Sequence, residues 1–371
     1  MSAAALQIQT LEDEDSQWGG SSEGRTYKAR DRELMDLQLK AQYFTDLCRY
    51  EPNIFRRRYR MQPWVFDKMM SDVANYDPYF VQTRDACGRL SLSTEQKLTC
   101  AMRMLAYGIT ADFCDDYLDI AKTTAIEIFE HFTKAIWNVY HETYLRRPTP
   151  ADLRRLLDKA AERGFPGMIG SLDCSLNDIN VLGCSPLFND VCTGETPEVN
   201  YQVHNRHYRQ CYYLVDGIYP KWGSFVQAIR KPQTQHFTRM QEAYRKDVER
   251  AFGILQARWA IIRGPARGWS KENLQYIMMT CIILHNMIVE DEHDEDAAQP
   301  FDPDDIPTRP RKAEIYKRPV MDTDVDRNPQ QLNQFLRRYR EVRCPVMNKN
   351  LQDDLIDHLW TMKLQANQNH Q

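Results

Sequence analysis

Gly164-Phe165-Pro166-Gly167-Met168-Ile169-Gly170-Ser171-Leu172-Asp173-Cys174-Ser175-Leu176-Asn177-Asp178 is the stretch on which the reading of this chain turns. A Gly/Pro turn leads into a short apolar run, and the run ends on a carboxylate. A buried strand delivers an acid to the crevice beside its carboxyl end in this way, where it can hold a divalent cation. Asp173 equally suits the start of a turn. A second apolar run, 211–215, ends likewise on Asp216-Gly217, with the same two readings. Asp178 follows Asp173 by only five positions. In an extended chain these two acids stand roughly 16 Å apart on opposite faces, whereas a tight turn would draw them together.

Working outward, residues 237–262 carry Phe237, Met240, Tyr244, Val248, Phe252, Leu255, Trp259 and Ile262 at intervals of three and four. That spacing predicts one long helix with a continuous buried stripe. Glu249 lies beside the stripe, where it can face a sheet. It also suits an ion-paired surface acid, because Lys246, Arg250, Arg258, Arg263 and Arg267 occupy the other faces and the following turn. Together Asp173, Asp178, Asp216 and Glu249 make the donor set of a metal-dependent phosphoryl transferase. In such a centre two divalent ions roughly 4 Å apart activate a nucleophile and stabilise the leaving oxygen. Hard oxygen ligands select Mg or Mn.

The bulk properties set limits on partners. At 371 residues the chain is long enough for two domains with hydrophobic cores, and 42% hydrophobic with 27% charged residues is ordinary for a globular protein. A net charge of -4 excludes general polyanion binding, so DNA contact requires a local basic patch. The ten cysteines include no CxxC pair, which points to a reduced intracellular compartment rather than to zinc. The acidic start is expected not to be a signal peptide. The apolar stretch 276–289 contains His285 and Asn286 and is too short to span a bilayer, so it reads as a buried helix.

Residues 1 to about 30 are acidic and aperiodic, which predicts disorder. The compact run Arg56, Arg57, Arg58, Tyr59, Arg60 reads as a nuclear localisation signal, a phosphate-contacting arm or a solvated helix end. Ser93 and Gln96 have capping-box spacing, with Leu98, Met102 and Leu105 on one helical face ending at Gly108. Thr110 can cap a short second helix carrying Phe113 and Tyr117. Thr123 or Thr124 can cap a third, with Ile128, Phe129, Phe132 and Ile136 inward. The layout is that of a helix-turn-helix module. Lys122 and the two threonines would contact phosphates, but Asp115, Asp116, Asp119, Glu127 and Glu130 surround them and repel a phosphate backbone. A trihelical bundle used for packing or protein contact is the competing reading. Leu153, Leu156, Leu157 and Ala160 mark an amphipathic helix, residues 290–310 an acidic, Pro-containing linker, and 330–343 and 351–364 terminal helices.

Four runs resemble the plant PIF/Harbinger transposase family of DDE type and its domesticated relatives. They are 164–174; Asn177-Asp178-Ile179-Asn180-Val181-Leu182 with 185–189; Tyr212-Tyr213-Leu214-Val215-Asp216-Gly217-Ile218-Tyr219-Pro220; and Arg245-Lys246-Asp247-Val248-Glu249-Arg250-Ala251-Phe252-Gly253 with 255–258. The helical stretch 93–136 and the run 281–289 are similar to the same family, so the likeness covers about residues 50–290. The resemblance implies an α+β, mostly helical protein, with an N-terminal helix-turn-helix bundle followed by a truncated RNase H-like (DDE) domain. It implies nuclear residence, DNA as substrate and a Myb/SANT-like nuclear protein as partner. By position, Asp173, Asp178, Asp216 and Glu249 match the family's acids, with Mg or Mn as the metal.

The chain departs from the family between the first two acids. Relatives carry a few dozen residues there, including further strands, where this chain has only 174–177. The expected organisation is a disordered acidic N-terminus over 1–45, a helical, helix-turn-helix-like domain over 46–147, a truncated nuclease domain over 148–290, and an acidic linker with C-terminal helices over 291–371. Two functions compete. One is a metal-dependent DNA endonuclease using the four acids, with Arg56, Arg57, Arg58, Lys122, Arg250, Arg258 and Arg263 on nucleic acid. The other is a catalytically silent nuclear protein- or chromatin-binding module.

Overall fold

The computed structural model describes residues 30–172, 199–229, 234–265, 269–292, 336–337, 340 and 342–369. Its helices are α1 (Arg32–Tyr43), α2 (Pro52–Tyr59), α3 (Pro63–Tyr76), α4 (Thr94–Tyr107), α5 (Phe113–Leu118), α6 (Lys122–Tyr144) and α7 (Pro150–Glu162). Strands β1 (Met168–Ser171), β2 (Tyr201–Val203), β3 (Arg206–Tyr208), β4 (Tyr212–Val215) and β5 (Phe225–Gln227) follow. Helices α8 (Gln235–Arg258), α9 (Lys271–Asp291) and α10 (Pro345–Asn369) complete a mostly helical α+β fold. Asp173 and Asp178 lie outside the described residues, as do residues 1–29, Arg267 and most of the linker.

The helical half forms where the sequence signals are local. Ser93 accepts from the Gln96 amide and Gln96 returns the bond, so the capping box that starts α4 is present. Gly108 ends α4 in the left-handed region at φ 63°. A Cβ there would also lie 3.2 Å from backbone atoms of Ala260 and Ile261, a tight contact that glycine avoids. The predicted caps of α5 and α6 differ: their N-cap residues are Asp112 and Ala121, and neither makes a side-chain cap bond. Burial holds these two helices instead. Ile128, Phe129, Phe132 and Ile136 of α6 are all fully buried.

The first helix corrects the expectation of disorder through residue 45. Asp31 caps α1 by accepting from the Leu34 amide, and Leu39 and Tyr43 are buried. Asp36 accepts from Ser93 Oγ, and Arg30 pairs with Asp115 at 3.1 Å, which pins α1 to α4 and α5. The boundary at residue 290 also looks different in space. Helix α9 packs along α6 within the helical core, where Ile277, Cys281, Ile283 and Leu284 are buried. Asn273 donates to Glu130, Thr280 to the Thr133 carbonyl and Asn286 to the Tyr144 carbonyl. An apolar helix packs wherever a matching apolar face is uncovered, whatever its sequence distance.

The sheet half is a three-stranded parallel sheet in the order β1-β4-β5, with β2 and β3 as a separate antiparallel pair. Both faces are covered. Tyr212 and Leu214 face Phe237 of α8 and Leu351, Leu355 and Leu359 of α10, while Tyr213 and Val215 face Leu153 of α7 and Phe225. Four consecutive buried residues in β4 are what a parallel strand covered on both sides requires. The outer edge of β5 is blunted by α10: Asn348 donates to the Trp222 and Phe225 carbonyls and Gln352 to the Gln227 carbonyl at 3.0 Å. The terminal helix expected over 351–364 therefore runs longer, from Pro345 to Asn369. Among the described residues no helix is long and apolar enough to cross a membrane.

Candidate functional site

The sheet brings two strand ends together. β1 and β4 are parallel neighbours, and the Leu172 amide donates to the Leu214 carbonyl at 2.9 Å. Leu172, just past β1, thus lies beside Leu214 near the end of β4, two residues before Asp216. A crevice at the carboxyl ends of adjacent parallel strands is the usual place for ligand groups in such sheets. Asp216 is exposed there and accepts from the Gly217 amide at 2.6 Å, and its own carbonyl accepts from the Tyr219 amide at 3.2 Å. It opens a tight crossover of residues 216–224, shorter than the dozen or more residues parallel neighbours ordinarily need. Tyr219 and Trp222 of that crossover cover Phe225, with ring centroids 5.7 and 5.4 Å away. Asp216 therefore has a complete structural role as a turn starter.

Glu249 sits elsewhere along α8. The direction of this helix is fixed by its contacts. Thr234 and Thr238 donate to the Ile229 carbonyl just past β5, and Gln241 donates to the Val215 and Val226 carbonyls at 3.0 and 3.2 Å. Further on, Tyr244 meets the Phe165 ring edge at 5.8 Å and Asp247 pairs with Arg163 at 2.9 Å, both ahead of β1. The helix runs from the strands' carboxyl ends to their amino ends. Eight residues separate Gln241 from Glu249, roughly 12 Å of helix axis. Glu249 lies toward the amino ends of the strands, away from the strand end that carries Asp216.

The stripe read from the sequence is not continuous. Phe237, Met240 and Tyr244 pack on the sheet, and Leu255 and Trp259 pack in the helical core. Between them Phe252 is 51% exposed. Helix α8 bridges two cores, and Glu249 falls in the exposed interval, ion-paired to Arg245 at 2.7 Å. Such an i,i+4 pair with a half-exposed acid contributes little. Among the described residues no group of three His, Cys, Asp or Glu side chains could hold a metal ion.

Most of the basic candidates are engaged within the chain. Arg56 pairs with Glu292 at 2.6 Å, and Arg258 approaches the other oxygen of that carboxylate at 3.5 Å. Arg58 donates to Tyr43 Oη and lies 4.2 Å over the Tyr50 ring. Arg250 pairs with Asp247 at 2.9 Å, and Arg263 donates to the Gln256 and Ala257 carbonyls at the end of α8. Arg57 and Lys122 are exposed. The carboxyl ends of α2, α4, α8 and α9 gather near Arg56, Arg60 and Arg258, and Arg60 donates to the Arg57 and Ala106 carbonyls. Each helix end carries about half a negative charge, so these arginines balance helix ends as well as Glu292. Burial lowers the Arg258 pKa, opposed by Glu292, and its Nη1 has no hydrogen-bond partner among the described residues. Burial, reinforced by the Arg258 charge, pushes His285 down to about 4.

The residue that sequence reasoning passed over is Gln241. It is fully buried and ties α8 to two strands. Its signal was a lone amide set among Phe237, Met240 and Tyr244 on an apolar face. Asn348 and Gln352 do the same for β5, and their spacing of four residues was legible, although nothing local named their strand.

Fold and geometry define a mostly helical α+β protein with a small parallel sheet and no assembled acid cluster among its described residues. Residues 142–176 and 174–296 match the plant transposon protein family, and residues 36–74 match a domain of unknown function. The transposon-family stretches together cover less than half of the chain, and one gives way to the other at 174–176. They support a transposase-derived protein. No curated protein matches the chain, and no solved structure does.

Proposed function

We propose that this chain is a transposase-derived protein that no longer cleaves DNA and acts in the nucleus as a protein- or chromatin-binding module through its helical half. The placement of Glu249 carries the reading. A two-cation centre needs its acids gathered around ions roughly 4 Å apart, and Glu249 lies roughly 12 Å of helix axis beyond the contact of Gln241 with the strand that ends in Asp216. The described donors therefore do not fit a cation pair. The family match is split at 174–176, in keeping with a segment missing between the first two acids, as the resemblance to Harbinger transposases implies. A Myb/SANT-like nuclear protein is the partner class that such descent suggests.

A second reading, the DDE nuclease, is favoured by one observation: β1 and β4 are parallel neighbours, and the Leu172 amide at the end of β1 meets the Leu214 carbonyl near the end of β4. Nicking of supercoiled DNA decides between the two. The purified chain with Mg or Mn is expected to nick no more than Glu249→Gln does. Metal-dependent nicking that this substitution abolishes would establish the nuclease instead. Nuclear residence is checked by imaging a fluorescent fusion, and exclusion from the nucleus would refute it.

A further inference from the structure

The core of the helical half contains a pair of thiols that the proposed function does not use. Cys100 lies in the middle of α4 and Cys114 near the start of α5, and their Sγ atoms are 3.3 Å apart with no bond between them. Both residues are buried, at 0% and 1% exposure. We propose that Cys100 and Cys114 form a reversible modification site, a dithiol that a small-molecule disulfide such as oxidised glutathione converts to an intrachain disulfide.

The geometry needs little adjustment. A disulfide has an S–S length of about 2.05 Å, so the sulfurs must close by only roughly 1.3 Å from 3.3 Å. Cys100 donates its S–H to Cys114, which favours the thiolate on Cys114 and makes it the attacking sulfur. Access comes from α5, a helix of six residues with no side-chain cap bond, held from outside by Arg30 on Asp115 and Asp119. When α5 lifts, the Cys114 thiolate attacks one sulfur of the reagent, forms a mixed disulfide and releases one glutathione thiolate. Cys100 then loses its proton and attacks Cys114 Sγ, releasing the second glutathione. Two protein thiols are oxidised, one small disulfide is reduced to two thiols, and the two protons pass to the leaving sulfurs. The product ties α4 to α5, the first two helices of the trihelical layout.

Trypsin provides a direct test, because Lys97, Arg103 and Lys122 place the two cysteines in separate peptides, 98–103 and 104–122. The folded full-length chain is incubated with oxidised glutathione, its free thiols are blocked, and it is digested without reductant. The expected product is the pair 98–103 and 104–122 joined with loss of two hydrogens and separated again by reductant. The oxidised chain is expected to melt on the order of 5 °C higher. Cys114→Ala abolishes both the link and the rise, whereas Cys87→Ser, at an exposed cysteine, keeps both. Unlinked peptides from the folded chain, a link that forms only in urea, or a rise that persists in Cys114→Ala would each overturn the site.

Discussion

The helical half and the sheet half of this molecule are built from the same kinds of residue but by different means. In the helical half, several ends are closed by side chains a few residues away, and burial in one shared core holds the helices, α9 included. In the sheet half, β1, β4 and β5 are short strands that become a layer only when α8 covers one face, α7 the other and α10 the β5 edge. The difference teaches why helix boundaries can be read from the sequence while the meeting of distant side chains cannot. Local signals survive independently of one another, whereas an acid cluster exists only if distant elements arrive together.

Helix α8 belongs to both halves, so substitutions along it test the contrast most strongly. Trp259→Ala removes a fully buried side chain from the helical core and is expected to cost about 3–5 kcal/mol in denaturant unfolding. Phe252→Ala, seven residues earlier and 51% exposed, is expected to stay within about 0.5 kcal/mol. Equal losses would show that the exposed interval is covered in solution.

His285 tests the helical core by pH. Its folded value of about 4 lies below the ordinary imidazole value of 6.5, so the unfolded chain binds the proton more readily. This stability is present above the unfolded value and is lost as pH falls from about 6.5 to 4, by at most on the order of 3 kcal/mol. Melting followed from pH 7 to 4.5 should fall less steeply in His285→Gln. An unchanged slope would mean that the imidazole is not held neutral.

Smaller effects belong to local features. Ser93→Ala deletes half of the α4 capping box and is expected to cost about 1 kcal/mol by the same unfolding measurement. A cost near zero would mean that tertiary burial alone holds the start of α4. Glu249→Ala breaks only the pair with Arg245 and should change stability by less than about 0.5 kcal/mol, with melting unaltered by Mg or Mn. A metal-dependent rise present in the native chain and absent from the variant would bring Glu249 back into a cation site.

Much of the fold was legible where one turn of chain suffices. The Ser93–Gln96 box, the Gly108 stop, the inward face of α6 and the strands at 168–171 and 212–215 all follow from spacing and residue type. Helix α1 lies within the N-terminus expected to be disordered over 1–45, and Leu39 and Tyr43, with Asp36 on Ser93 and Arg30 on Asp115, dock it. β5 is three residues long, too short to show a period. The charge of the basic run at 56–60 was legible, but Glu292 and the Ala106 carbonyl that engage it come from far along the chain.

Periodicity and capping, which act over a few residues, determined the helices and the two principal strands. Tertiary structure decided that α8 spans two cores, that α9 joins the helical half and α10 the sheet, and toward which strand ends Glu249 lies. A helix rises only about 1.5 Å per residue, so where a side chain stands depends on which partner anchors the helix, and here that partner is Gln241 on Val215 and Val226.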